Sequence, residues 1–282
     1  MPLFILCFFL TIFVAPRPSH ADISLNFGLY TSDKPTVIIK QFRPIINYLE
    51  SSLHEKLHEP VYIKIQVASS YEKGIRSLEK GDVDFARFGP ASYVEVKERN
   101  SGIRIIAIES KNGSKRFKGI ICVHKDSPIS QIKDLKGKRF AFGDQLSTIG
   151  RYLSQQYLFK NGIMAADLGS YDYLGRHDKV GHAVGIGQYD AGALKESTFA
   201  KLLKKGVPIR ALAEFQNVTK PWIAHSGLGN QIFIALQESL LELKDSAALK
   251  PLKKDGFVTG SDEDYSMIRK SIIENYAFFQ SL

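Results

Sequence analysis

Two cysteines, one tryptophan and three methionines are all that the 282 residues carry of those side chains. Cys7 lies in the opening apolar run, so a processed chain keeps only Cys122. One thiol cannot close an intramolecular disulfide, and no cysteine framework can be built. After residue 14 there is no second long apolar run, so the processed product is expected to be soluble. Acids are short as well: 29 Asp and Glu stand against 38 Lys and Arg, a formal charge of +9. That balance favours an anionic partner: nucleic acid, a membrane surface or a small oxyanion. Nucleic acid drops out, because the basic residues are dispersed and no helix-turn-helix, zinc-finger or aromatic-rich RNA motif occurs. A Walker pattern and a G-x-S-x-G elbow are also missing, so ATP hydrolysis and serine catalysis are not expected.

What is present is an ordinary folding composition, with 44% of side chains hydrophobic, 24% charged and 11% aromatic. Disorder, collagen and coiled coil are set aside by it. The length suits one large domain or two modest ones, with core enough to need no disulfide or structural metal. Residues 2–14 are apolar, too short to span a bilayer but right for the core of a secretory leader. Ser19-His20-Ala21 follows as a small-x-small cleavage signal. Residues 1–21 therefore read as a cleaved signal peptide, with the mature chain starting at Asp22 in the periplasm.

Beyond Asp22, short apolar runs alternate with helical patterns, the rhythm of an α/β protein. Residues 23–27 and 61–67 read as strands. Between them Ile38, Phe42, Ile45, Leu49, Leu53 and Leu57 recur at helical spacing, and Pro44 is expected to kink the helix or to start its regular part. A short helix over 71–80 is ended by Gly81, and Gly89-Pro90 precedes another over 91–99. The polar stretch 110–118 reads as a crossover into a second block that runs to residue 215, and 217–221 as the return linker. Residues 230–243 and 262–279 read as amphipathic helices. The simplest parse is two α/β lobes, 22–112 with 218–282 in lobe 1 and 113–217 in lobe 2.

The strongest chemical signal is Phe142-Gly143-Asp144-Gln145-Leu146-Ser147-Thr148-Ile149-Gly150. A strand ends, a polar turn follows, and hydroxyl residues open a helix whose free N–H groups and dipole make an anion pocket. Ser147 would serve equally as an ordinary N-cap. Further stretches extend the pattern: residues Asp84-Phe85-Ala86-Arg87-Phe88-Gly89-Pro90-Ala91-Ser92-Tyr93, then Lys125-Asp126-Ser127-Pro128-Ile129. Arg176-His177-Asp178 and Asp190-Ala191-Gly192 follow. In this order, over about residues 24–225, the chain resembles the phosphate/phosphite/phosphonate-binding proteins of bacterial ABC importers.

The resemblance implies a two-lobe, type II periplasmic binding-protein fold, each lobe a mixed sheet flanked by helices, with the ligand cleft between them. It also implies roles. Ser147 and Thr148 match hydroxyl donors at the second-lobe helix start, and His177 a histidine that donates to a ligand oxygen. Tyr71 matches a first-lobe tyrosine that covers the ligand, and Tyr93 is a further contact. Where the family commonly has a third hydroxyl this chain has Ile149, which keeps the backbone N–H and loses the side-chain donor. The bland alternatives are a helix cap for His177 and half-buried edges for the tyrosines. A cationic His177 would add attraction below neutral pH.

Family members that take aminoalkyl phosphonates need acids for the ammonium. Glu196 could reach the cleft, but the return linker offers Lys220-Pro221-Trp222 and no acid, which favours a purely anionic ligand. The expected function is non-covalent capture of a small phosphorus oxyanion by a monomer that needs no cofactor or metal. Delivery would be to a membrane permease driven by a separate ATPase. A different class of reading is a ligand-sensing module docked on a membrane sensor kinase. A third is a zinc peptidase through His54, Glu55 and His58, which spell H-E-x-x-H. Against it, the helix is expected to stop at Glu59-Pro60 and no third ligand has recognisable spacing.

Overall fold

The computed structural model describes residues 22–30 and 35–280, so the signal-peptide reading lies outside the described residues. The first part of the chain forms β1 (Ile23–Tyr30), α1 (Pro35–Leu57), β2 (Val61–Ala68), α2 (Tyr71–Lys80), β3 (Phe85–Arg87), α3 (Pro90–Arg99) and β4 (Arg104–Ser110). The middle forms β5 (Arg116–His124), β6 (Arg139–Phe142), α4 (Leu153–Lys160), β7 (Ser170–Tyr173), α5 (His177–Gly185), β8 (Ala191–Lys195), α6 (Glu196–Lys204) and β9 (Ile209–Val218). The last part forms β10 (Pro221–Ala224), α7 (Asn230–Glu242), α8 (Ser246–Leu249), β11 (Gly256–Val258) and α9 (Ser266–Ile273). Among the described residues no helix is long and apolar enough to cross a membrane.

Local chemistry explains the elements that matter for the site. Helix α1 buries Ile38, Phe42, Ile45, Leu49 and Leu53 on one face and runs through Pro44 unbroken. The proline removes the bond to the Lys40 carbonyl, but Lys40 is exposed and water can take it. Helix α2 opens on Ser70, whose Oγ accepts the Lys73 N–H at 3.2 Å, and closes on Gly81 in the left-handed region at φ 80°. Gly89 and Pro90 start α3, with proline at the first helical position, where no N–H is needed.

Two mixed sheets result. The six-stranded sheet has order β11-β4-β10-β3-β1-β2, and the five-stranded sheet has order β7-β6-β8-β5-β9. In the first, β1 is parallel to β2 and β3, while β10 inserts antiparallel between β3 and β4. In the second, β6 is parallel to β7 and β8, and β5 is antiparallel to β8 and β9. The fold is therefore mixed α/β with helices on both sheets. Trp222 of β10, fully buried, stacks on Phe27 of β1 at 4.7 Å and fixes the middle of the first sheet.

Two segments differ from the sequence expectation. The return path is hardly a linker: β9 continues to Val218 and β10 begins at Pro221, leaving Thr219 and Lys220 between sheets. A proline opening a strand gives up no ladder bond, so the Lys-Pro pair conceals a strand. Residues 262–279 are not one helix but a turn at Asp262–Tyr265, α9, and a tighter 3-10 stretch at Glu274–Phe279. That C-terminal segment touches both sheets' helices. Asp262 accepts from Tyr93 of α3, Glu274 and Asn275 bond Gln156 and Gln155 of α4, and Phe278 meets Phe142 edge-on at 5.9 Å.

Candidate functional site

The starts of two helices meet between the sheets. After β3 the chain turns at Gly89 into α3; after β6 it turns at Asp144 into a π-helical turn, Thr148–Tyr152, that leads into α4. Thr148 Oγ1 accepts the Ala91 N–H at 2.8 Å, so a hydroxyl of one side sits on the helix start of the other. Its own proton remains available to donate. The Ser147 Oγ accepts the Gly150 N–H at 3.0 Å, and its carbonyl takes Arg151 and Tyr152 N–H. Ser147 is thus an N-cap as well as a candidate donor. The turn's remaining N–H groups are those of Thr148 and Ile149, aligned with the positive end of the helix dipole.

Tyr71, the first residue of α2, lies close enough to the Ser147 side chain to interact with it and packs on Tyr30 with ring centroids 4.1 Å apart. Tyr30 closes the arrangement, since its hydroxyl accepts the Gly89 N–H and donates to Ser92 Oγ, both at 2.7 Å. Burial pushes the Tyr30 hydroxyl up to about 12 and raises that of Tyr71 further, so both stay neutral. Next to them lies a cavity of about 340 Å³ lined by Ser70, Tyr71, Asp144, Gln145, Tyr173 and Gly175, among others.

Glycine packing sets the far wall. A Cβ on Gly150 would stand 2.7 Å from Gly143 Cα, and one on Gly143 would stand 2.9 Å from Gly150 Cα. The strand end and helix start therefore touch backbone to backbone, and the same Gly143 position lies 3.7 Å from His177 Cε1. His177 opens α5 and bonds the Ala193 backbone of β8, while its Nδ1 is buried without a partner. Burial, with Lys195 and Lys220 adding repulsion, pushes its pKa down to about 3. The imidazole is neutral through the physiological range, and the expected gain from a cationic ring near neutral pH does not hold. Its cause is local: a ring kept from water beside two ammonium groups refuses a proton.

Of the residues singled out in the sequence, Tyr71, Ser147, Thr148 and His177 come together here. Tyr93 does not. Its side chain is buried away from this arrangement, its hydroxyl donating to Asp262 at 2.6 Å and its ring against Tyr265 at 4.8 Å. It is a core tyrosine holding α3 to the C-terminal segment. Ile149 is 3% exposed within the apolar core, so only its backbone N–H is available to a ligand. Tyr30 was missed, although its place at the C-terminal end of a parallel strand is where α/β sheets present ligand groups. The zinc reading fails on geometry: α1 ends at Leu57, His58 has left-handed backbone at φ 59°, and His54 Nδ1 is bonded to the Glu59 carbonyl at 2.9 Å. Among the described residues no group of three His, Cys, Asp or Glu could hold a metal.

Two mixed sheets with helix starts and strand ends facing one another define the type II class of two-lobed binding proteins, and solved structures share that fold. PhnD1 of Prochlorococcus marinus, in complex with methylphosphonate, aligns with a TM-score of 0.76 at 23% identity, covering 89% of this chain and 97% of its own. A binding protein component of an ABC phosphonate transporter from Pseudomonas aeruginosa aligns at 0.76 and 18%, covering 91% of this chain and 87% of its own. In sequence, residues 27–265 match the family of periplasmic substrate-binding proteins of phosphonate ABC transporters, and the chain belongs to it. The phosphonates-binding periplasmic protein of Escherichia coli is 30% identical over 158 residues, 53% of this chain and 45% of that protein's length. PhnD1 itself, named for phosphite binding in an ABC transporter, is 26% identical over 78% of this chain and 76% of its own. These similarities support the transport reading and not the sensor-kinase one.

Proposed function

We propose that this chain captures a small phosphorus oxyanion in the periplasm and hands it to the permease of an ABC importer powered by a separate ATPase. It would do so as a monomer, without catalysis, after cleavage of residues 1–21. The carrying observation is the meeting of two helix starts through the Thr148 Oγ1 to Ala91 N–H bond at 2.8 Å. An anion entering there gains N–H donors and two helix dipoles at once, with little reorganisation. The proposed ligand contacts are the Thr148 hydroxyl, the Thr148 and Ile149 N–H groups, Ser147 and the His177 ring, with Tyr71 and Tyr30 covering. The proposed moving units are residues 22–112 with 218–282, and 113–217.

Near His177 an ammonium group meets Lys195 and Lys220, while Asp144 and Glu72 line the neighbouring cavity, so the ranking of anionic against amino ligands is the sharpest test. Isothermal calorimetry with phosphate, phosphite, methylphosphonate and 2-aminoethylphosphonate tests the reading. One of the first three is expected to bind more tightly than the amino compound. A preference for the amino compound overturns the ranking, and silence from all four overturns the ligand class.

A further inference from the structure

Charge is shared unequally between the two sheets. From Asp22 on, Asp and Glu equal Lys and Arg in number outside residues 113–217, so the whole positive excess lies in the segment that builds the second sheet. Much of it gathers at one end of that sheet. Strand register fixes which end: Arg139 at the start of β6 pairs with Ser170, Val123 at the end of β5 with Ala191, and His124 with Ile209. All of these lie opposite the end where β6 closes on Phe142 and the turn to Thr148 meets the cleft. Helices α5 and α6 run back from the cleft end, so their last residues also arrive at the far end.

Contacts join the pieces there. The Lys125 N–H donates to the Pro208 carbonyl at 2.9 Å, which sets the turn after β5 against the turn after α6. A Cβ on Gly185, the last residue of α5, would stand 2.7 Å from Val207 Cγ1, so α5 ends on that same turn. Arg139 Nη2 donates to the Gly187 carbonyl at 3.0 Å, which brings in the start of β6. Asp190 matches Arg139 at 3.1 Å, and exposed Asp126 offsets Lys125. Lys138, Lys204 and Lys205 are left over: all three are exposed and, among the described residues, form no ion pair. Apolar side chains stand open beside them. Ile186, directly after α5, is 78% exposed, more than any other large apolar side chain among the described residues, and Leu203 in the last turn of α6 is 45% exposed.

Two ordinary uses fall short. A lysine in the last turn of α6 complements the helix dipole, which accounts for Lys204 but not for Lys138 before β6 or for an open isoleucine. Steering an anion into the cleft would need the charge at the other end of the sheet. Lysines around exposed aliphatic side chains suit an anionic lipid surface, which offers headgroup attraction and shallow apolar burial together. We infer that this far end of the second sheet docks on an anionic lipid bilayer, with Lys138, Lys204 and Lys205 at the phosphates and Ile186 and Leu203 entering among the headgroups. The cleft, at the opposite end, stays clear of the lipid. This docking is independent of which ligand the cleft takes.

Co-sedimentation of the chain from Asp22 on with vesicles tests it, using phosphatidylcholine alone and phosphatidylcholine with one-third phosphatidylglycerol. Wild type should sediment with the anionic vesicles and not with the neutral ones, and added salt should release it. Lys138→Gln combined with Lys204→Gln and Lys205→Gln should weaken partition to the anionic vesicles at least about tenfold. Ile186→Ser should weaken it about threefold. Lys40→Gln combined with Lys64→Gln and Lys244→Gln removes the same charge from exposed positions around the first sheet, and should bind within about twofold of wild type. Every substituted position is exposed, so the variants should melt with wild type. A wild type that ignores the anionic vesicles overturns the inference, and an acidic protein surface is then the partner left for this end. Equal losses in the two triple variants also overturn it, because net charge rather than this surface then does the binding. Ile186→Ser binding like wild type overturns the apolar contact.

Discussion

Single residues divide here by which way a side chain faces, and that decides three predictions. Thr148→Ala removes a donor to the ligand and the acceptor of the Ala91 N–H. Affinity for methylphosphonate should fall by about 1.5–3 kcal/mol, the range for hydrogen bonds to charged groups. A calorimetric value equal to wild type would place the anion elsewhere. Tyr93→Phe should do the reverse, leaving affinity unchanged and lowering stability by about 0.5–1.5 kcal/mol, the worth of one hydrogen bond, because Asp262 keeps Arg269 and solvent. Ligand titration and urea unfolding of the same variant separate these outcomes. His177 predicts a pH effect whose sign follows from its depressed pKa of about 3. The unfolded chain takes up a proton near pH 6.5 that the folded ring refuses, so stability is full above that pH and drains away as pH falls toward 3. By about pH 5 the wild type should lose about 2 kcal/mol more than His177→Gln, at 1.36 kcal/mol per unit. Parallel unfolding curves for the two at pH 7 and 5 would show a solvated ring instead. Ser147 and Thr148 were legible in the sequence as hydroxyls opening a helix after a polar turn, and His177 through the family resemblance, since capping alone would explain a Ser or His at a helix start. Tyr93 was not, since its direction depends on Tyr265 and Asp262, far along the chain.

Elements carry the site through contacts that no single residue announces. The Gly143–Gly150 approach is one: a strand end and a helix start lie within backbone contact, with His177 against the same glycine. Gly150→Ala pushes a methyl to 2.7 Å from Gly143 Cα, and backbone cannot step aside as a side chain does. Stability should drop by about 1–3 kcal/mol and ligand affinity should fall with it, because the wall behind His177 moves. An alanine variant that melts and binds like wild type would mean the two segments are free to separate. By contrast Ile149→Ser, attractive from the family pattern as a restored hydroxyl, buries a polar group in place of a core side chain that is 3% exposed. Lost stability of roughly 2–4 kcal/mol is expected rather than tighter binding. At this scale, alternation of strands and helices was legible, since period-two and helical stripes mark β1, α1 and β2. The hidden strand β10 was not, because Pro221 opens it and its partners β3 and β4 lie more than a hundred residues back. The same holds for the C-terminal segment, where helical spacing continues while contacts with Phe142 and Gln155 break the helix into a tighter turn.

The whole molecule joins two sheets by short crossings near residues 111–115 and 219–220, with the C-terminal segment bonded to helices on both sides. Among the described residues Thr148 bonds Ala91 across the cleft, and Tyr71 faces Ser147. An anion seated between them would add contacts to both faces at once, so its binding energy favours the closed arrangement over any open one by the difference in contacts each allows. A direct measurement is available because the chain from Asp22 on has one cysteine, and Cys122 is buried in β5 with its thiol pushed up to about 12. Burial and a protonated thiol keep it from competing for labels. Glu72→Cys and Gln145→Cys place two labels on the lining of the cavity beside Tyr71, the first just inside α2 and the second in the turn before Ser147. Saturating methylphosphonate should narrow the distance distribution between spin labels at these sites and shift it to the shorter values that the closed cleft allows. The same labels in Thr148→Ala should need more ligand for the same shift, in proportion to its weakened affinity. A distribution that ignores ligand in both proteins, at concentrations where calorimetry shows saturation, would mean that capture occurs in a rigid cleft. The two sheets would then act as one body.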